Sequence, residues 1–265
     1  MNRKLVRVLS LIFAAMLVLT LCSCGDDKYD EEKDIVYASA IPQDKAEIIE
    51  RFNSVIADAK ENKPAISYSL DQKAKDADCE NKDIKSAFKT VAGYITEEKF
   101  KSSTEYGEST KDIFPIMGTD DAGVLTFNGV RTAYVTDNKS DDTYTLVLKL
   151  YPEANPDNGT DSIYGNLYSV PKDADILAEM GKFSSILTAE SYDAQYGVGT
   201  VKAEIDKTSD HLVKLELSRD VDVATEVTGQ GNFASVGTVP LTFKYSSTAK
   251  YELDWNNPAT DAIED

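Results

Sequence analysis

The sequence predicts an α+β fold, a curved antiparallel sheet packed against about three amphipathic helices. Two patterns carry this. Several segments alternate apolar and polar residues with a period of two, the mark of strands with one buried face, and they are joined by short polar turns, which implies antiparallel pairing. Three other segments carry apolar residues at helical spacing, forming one stripe each.

The first helix follows Asp44, which with Glu47 three residues later has the pattern of a capping box; Ile48, Ile49, Phe52, Val55, Ile56 and Ala59 form its stripe and Asn62-Lys63-Pro64 ends it. Ile66, Tyr68 and Leu70 then alternate with Ser67, Ser69 and Asp71 as a strand. A second helix fits Asn81 to Ile95, through Ile84, Phe88 and Val91, with Asn81 as its cap. The polar stretch 96–111 reads as a long surface loop. Val130 to Thr136 and Thr143 to Tyr151 form a hairpin across residues 137–142, with Tyr144, Leu146, Leu148 and Leu150 on one face. The third helix is expected from Lys172 to Leu187, through Ile176, Met180 and Phe183. Strand patterns follow at Val201, Ala203 and Ile205, at Val213, Leu215 and Leu217, and at Val221, Val223 and Val227, with turns at 207–210 and 218–220. In the last run Val239, Leu241, Phe243, Tyr245, Tyr251, Leu253 and Trp255 all occupy odd positions, so one uninterrupted strand would put them on one face. Gly229, Gly231 and Gly237 before it suit a turn or bulge that lets the sheet curve.

The N-terminus has the organisation of a secretory signal: Arg3, Lys4 and Arg7, then an apolar run from Val8 to Leu21, shorter than the roughly 20 residues a membrane helix needs and followed by Gly25, Asp26 and Asp27. Leu21-Cys22-Ser23-Cys24 resembles the lipobox of bacterial lipoproteins. That resemblance implies cleavage after residue 23, lipidation of Cys24 and tethering at the extracytoplasmic face of the cell membrane, since two or three acyl chains at about 0.8 kcal/mol per buried CH₂ hold stably. The expected organisation is therefore a signal peptide over 1–23, an acidic tether over 24–40, one domain over 41–258 with a subdivision near residue 170 as the alternative, and a polar tail over 259–265.

Removing the three signal-peptide cations from the 28 basic residues leaves 25 against 46 acidic, a formal charge of −21 on the mature chain. Nucleic acid is excluded as an expected partner, because phosphate binding needs clustered Lys and Arg. Cys24 and Cys79 are the mature cysteines, and a lipidated Cys24 leaves no internal disulfide.

Signs of catalysis are weak. The single histidine, His211, falls in an expected surface turn, and the nucleophile-elbow, zinc-protease and phosphate-loop motifs do not occur. One His and Cys79 do not complete a zinc shell, so neither metal nor cofactor is expected. Asn155, Asp157, Gly159 and Asp161 have the spacing of a calcium loop, but the twelfth place is Asn166 instead of glutamate, which favours a solvated turn. Asp220 and Asp222 would point the same way along a strand, a pair exposed faces commonly carry. Cys79, among Asp76, Asp78 and Glu80, reads as a packed small side chain.

Phe52-Asn53, Lys63-Pro64, Cys79, the helix through Phe88 and the strand Leu146-Val147-Leu148-Lys149-Leu150 resemble uncharacterised surface lipoproteins of low-GC Gram-positive bacteria, and the likeness implies display at the surface without a particular activity. At the level of architecture the chain is similar to lipid-carrying lipoproteins whose curved sheet wraps helices around an apolar cavity. The expectation is a non-catalytic binding module for an envelope ligand or protein partner. The alternatives are a carrier of a lipid or other apolar molecule, with Phe88, Phe183, Phe243, Tyr245 and Tyr251 lining its cavity, and a carboxylate-dependent hydrolase.

Overall fold

A computed structural model describes residues 40–96, 98–111, 113–114, 125–157, 162–168, 170, 181 and 183–256, and all of them belong to one compact unit, Tyr37–Asp265. Cys24 and most of the expected third helix, residues 172–180 and 182, lie outside the described residues.

Helix α1 spans Lys45–Asn62. Asp44 caps it: its Oδ1 accepts from the backbone N–H groups of Ala46 at 2.8 Å and Glu47 at 3.0 Å, while the Glu47 carboxylate reaches back to the N–H of Gln43 at 2.7 Å. These contacts satisfy N–H groups that the first turn leaves without helical partners. At the other end Lys63 adopts φ 51° and its N–H closes on the Ala59 carbonyl, and Pro64 prevents continuation. The predicted stripe is buried. Asn53 acts beyond the helix, giving Nδ2 to the Leu125 carbonyl and accepting the Leu125 N–H, both at 2.9 Å, as a neighbouring strand would.

Among the described residues the remainder is dominated by nine antiparallel strands: β1 (Ala65–Asp78), β2 (Glu98–Thr104), β3 (Val130–Asn138), β4 (Thr143–Leu150), β5 (Glu153–Ala154), β6 (Leu187–Tyr196), β7 (Thr200–Asp206), β8 (Leu212–Gly229) and β9 (Thr238–Asp254). Helix α2 (Lys82–Thr96) follows β1, and Asn81 caps it by accepting from Asp83 and Ile84. The main path through the sheet is β2-β1-β9-β8-β7-β4-β3, with β6 on β8 and β5 on β6. The architecture is thus a sheet-rich antiparallel one with few helices.

Four sequence expectations need correction. The stretch 96–111 is not all loop: Glu98–Thr104 is strand β2 at one end of the sheet path, and such edge strands are kept polar because one side of their backbone faces away from the sheet. Residues 218–220 are not a turn, because β8 runs through them without a break. Leu187 does not end a helix; it opens β6 and is buried. Val213 is half-buried and Leu212 takes the core position, because the register between β7 and β8 shifts there and displaces the alternation by one.

The last strand behaves as its odd positions require. β8 and β9 pair without a register shift from Lys214↔Glu252 to Thr228↔Thr238, so Leu241, Tyr245, Ala249, Tyr251 and Leu253 are buried together. Their connection holds the 3₁₀ turn Gly231–Val236, and glycine is required at 229, where a Cβ would lie 2.1 Å from the Phe233 carbonyl oxygen.

On the other side of β8 the partner strand is broken. β6 pairs with residues 221–229 and β7 with residues 212–218, so the two follow one another along the same edge of β8, interrupted at Gly197-Val198-Gly199. Tyr164 fills the interruption, its hydroxyl donating to the Gly197 carbonyl and accepting the Gly199 N–H at 2.7 Å.

A Cβ at residue 199 would lie 2.7 Å from that hydroxyl. Gly199→Ala should therefore lower stability by about 1–3 kcal/mol in urea unfolding, the usual range for overpacking. In a double-mutant cycle with Tyr164→Phe, which deletes the obstructing oxygen, the combined loss should be smaller than the sum; strict additivity would show that the hydroxyl does not occupy the break.

Candidate functional site

Arg219 lies on β8 at the interruption. From residue 215 onward the odd positions of β8 face the core, and Arg219 shares that parity with Leu215, Leu217, Val221 and Val223. It is 8 % exposed. Its cross-strand neighbour on β9 is Ser247, and the N–H of Gly197 bonds the Asp220 carbonyl where β6 gives way to β7.

Tyrosines surround the guanidinium. Its Cζ lies 4.5 Å from the ring centre of Tyr168 and 5.1 Å from that of Tyr196, within cation–π range. Tyr164 packs on both rings, at 5.4 Å and 5.1 Å between centroids. The Tyr168 N–H bonds the Tyr164 carbonyl at 2.8 Å, one helical turn that sets the two rings side by side, and Glu153 anchors the start of this segment by accepting from Ser162 Oγ and the Tyr164 N–H. Tyr168 donates its hydroxyl to the Ser218 carbonyl at 3.3 Å.

Arg219 Nε and Nη1 are buried and have no hydrogen-bond partner among the described residues. Arginine stays charged, so this is a buried cation stabilised by ring faces but without an acceptor for several of its N–H groups. Burial pushes the hydroxyl of Tyr164 up to about 12 and that of Tyr168 further, with the Arg219 charge opposing both. Tyr245 and Tyr251 are also raised by burial, and Arg219 again opposes the shift. Tyr164, Tyr168, Tyr245 and Tyr251 are therefore neutral at ordinary pH and do not supply a counter-charge.

The expected cavity residues divide between two clusters. Phe88 and Phe243 meet with ring centres 4.9 Å apart, in a cluster with Cys79, Ile84, Leu187, Val227 and Leu241, whereas Tyr245 and Tyr251 belong to the main core. Tyr251 stacks on Tyr68 and receives Phe114 edge-on. Phe183 is half-buried just before β6, its carbonyl accepting from Ile186 and Leu187. Phe243 also lines a half-open cleft of about 220 Å³ with Val223, Ala224, Asp193, Asp222 and Lys244. A wider opening of about 590 Å³ lies beside α1, around Glu47, Glu50 and the Arg51–Asp210 ion pair.

The remaining sequence candidates have structural roles. His211 stacks on Trp255 at 3.9 Å, and the indole N–H bonds the Leu212 carbonyl. Asn155 has φ 44° and binds β6, donating to Asp193 and accepting the Ala194 N–H. Asp222 pairs with Lys244 at 2.8 Å. Cys79 is free and buried beside α2.

Comparison with known proteins gives no match: no family model, curated protein or solved structure matches this chain.

Tyr144 provides a further buried hydroxyl, raised to about 12 by burial. A tyrosine whose folded pKa exceeds its unfolded value near 10 stabilises the fold fully below pH 10 and loses that contribution as pH rises through the folded value. Unfolding free energy should accordingly fall between pH 10 and 12, and absorbance titration at 295 nm should place Tyr144 and Tyr164 in the late-ionising fraction. Complete phenolate formation by pH 11 with the fold intact would contradict their burial.

Proposed function

We propose that the chain is a lipid-anchored binding module on the extracytoplasmic face of the cell membrane, non-catalytic, held by Cys24 and taking an envelope ligand or protein partner through its folded unit. The observation that carries the binding part is Arg219, a buried guanidinium whose Nε and Nη1 have no partner among the described residues. Unsatisfied buried donors cost stability, and a ligand that accepts from them removes that cost. The anchor rests on Leu21-Cys22-Ser23-Cys24 and on the charged start and apolar run before it. A non-catalytic role is favoured by the commitment of His211 to Trp255 and of Asp222 to Lys244.

A carrier of a lipid or other apolar molecule is the second reading, favoured by the cleft that Phe243 lines next to the Phe88 contact. In that reading the sheet curves and a third helix ending before the turn at 183–186 closes the cavity, bringing Phe183 to its wall.

Cys24→Ala should move the protein from the membrane to the soluble fraction, and undiminished membrane retention would reject lipidation as the anchor. Native mass spectrometry of the full chain, extracted from host membranes in mild detergent, tests the ligand. A bound mass lost in Arg219→Met supports the first reading, and an apolar mass that survives Arg219→Met but leaves in Phe243→Ala supports the carrier.

A further inference from the structure

We propose that Arg219 anchors a small carboxylate, a monoanion that accepts from its free N–H groups and lays its organic part against the tyrosine rings. The inference rests on the binding-module reading and names the chemistry that the module takes.

A cation 8 % exposed calls for a counter-charge, because removal from water penalises the ion unless an anion or acceptors replace its hydration. The chain offers none here among the described residues. Asp220, next in sequence, is exposed and has the opposite strand parity, and Glu153 is engaged by Ser162 and Tyr164. Ring faces at 4.5 and 5.1 Å stabilise positive charge. They leave Nε and Nη1 without hydrogen bonds.

Neighbouring side chains suit a small guest. Between Tyr245 and Tyr251 the core-facing positions of β9 are only Ser247 and Ala249, the two smallest on that face, and Ser247 is the direct cross-strand neighbour of Arg219. Electrostatics select the charge. One carboxylate neutralises one guanidinium, whereas a phosphate dianion would leave buried negative charge in a chain that already carries −18. Carboxylate oxygens lie in one plane and accept guanidinium N–H groups in that plane, which gives this pair its strength.

The test uses the full, uniformly ¹⁵N-labelled chain in mild detergent, following the Arg219 Nε–H resonance, assigned by its loss in Arg219→Lys. Sodium benzoate, sodium hexanoate, sodium phosphate and sodium chloride are titrated at constant ionic strength, with thermal midpoints read in parallel. The expected result is a saturable shift with benzoate or hexanoate and a midpoint raised by several degrees, neither seen with chloride or phosphate. In Arg219→Met the carboxylate effect should vanish while the unliganded midpoint stays level or rises, since the unpaired buried charge has gone. Should Arg219→Met not fold, Arg219→Lys serves for the thermal comparison and should weaken the carboxylate effect at least tenfold.

A shift with phosphate alone overturns the carboxylate assignment and leaves the binding-module reading standing. No saturable shift with any probe overturns the inference. If protein extracted from its host then still carries a bound mass, only the inference has failed; if it carries none, the reading beneath it fails too. A midpoint lowered in Arg219→Met, with no carboxylate effect in the wild type, marks Arg219 as a structural cation and also overturns the proposal.

Discussion

β8 and β9 are 18 and 17 residues long, and their pairing holds one register over nearly all of that length. Because side chains alternate strictly along a strand, the unbroken register forces every odd residue of β8 from 215 onward, and every odd residue of β9 paired with that stretch, onto the same face, whatever its chemistry. Apolar residues there drive the packing: Leu215, Leu217, Val221 and Val223 on β8, and Leu241, Tyr245, Tyr251 and Leu253 on β9, join the two buried clusters. Arg219 and Ser247 are carried inward by the same geometry. Removing Arg219 from the core by a register slip would also expose the apolar residues on either side of it, so the fold accommodates the charge where it falls.

The accommodation comes from the break in the neighbouring strand. Had β6 continued into β7 without interruption, backbone pairing would run past Arg219 on both sides. Gly197-Val198-Gly199 instead opens the ladder, and the hydroxyl of Tyr164 substitutes for the pairing lost by Gly197 and Gly199. That hydroxyl fixes its own ring, which packs on Tyr168 and Tyr196, the two rings nearest the guanidinium. A backbone irregularity and a buried charge are therefore parts of one arrangement, linked through a single tyrosine.

Much of this was legible in the sequence, and the exceptions have identifiable causes. Helix α1, the β3–β4 hairpin, β7 and β9 follow from caps, turn residues and unbroken alternation. β2 escaped because edge strands are built from polar residues. β6 escaped because its pairing with β8 shifts register between Ala189 and Tyr192, so the core-facing set changes from odd positions, Leu187 and Ala189, to even ones, Ala194 and Tyr196. Arg219 was missed because Ser218-Arg219-Asp220 has the composition of a turn. Parity carried the opposite message: Leu215, Leu217, Val221 and Val223 share odd numbering, and a single strand through them places residue 219 inside. Tyr164 and Tyr168 gave no such signal, since a short helical turn between loops has too few residues to show a period.

The distribution of charge separates the two faces of the sheet. On the outer face Lys202 and Lys250 both contact Glu216, Lys214 contacts Glu204, and Lys244 contacts Asp222, mostly with the ions well exposed. Burial raises the Glu216 carboxyl, but bonds to Lys202 and the charges of Lys202 and Lys250 outweigh that and hold it below the usual range. Pairs of this kind contribute at most about 1 kcal/mol each and weaken with salt, so they do not decide the fold. Within the core the balance reverses, because a charge removed from water interacts over short distances with little screening. One arginine there carries more electrostatic weight than several surface pairs, and it lies on the inner face, where β8, β9 and Tyr168 meet.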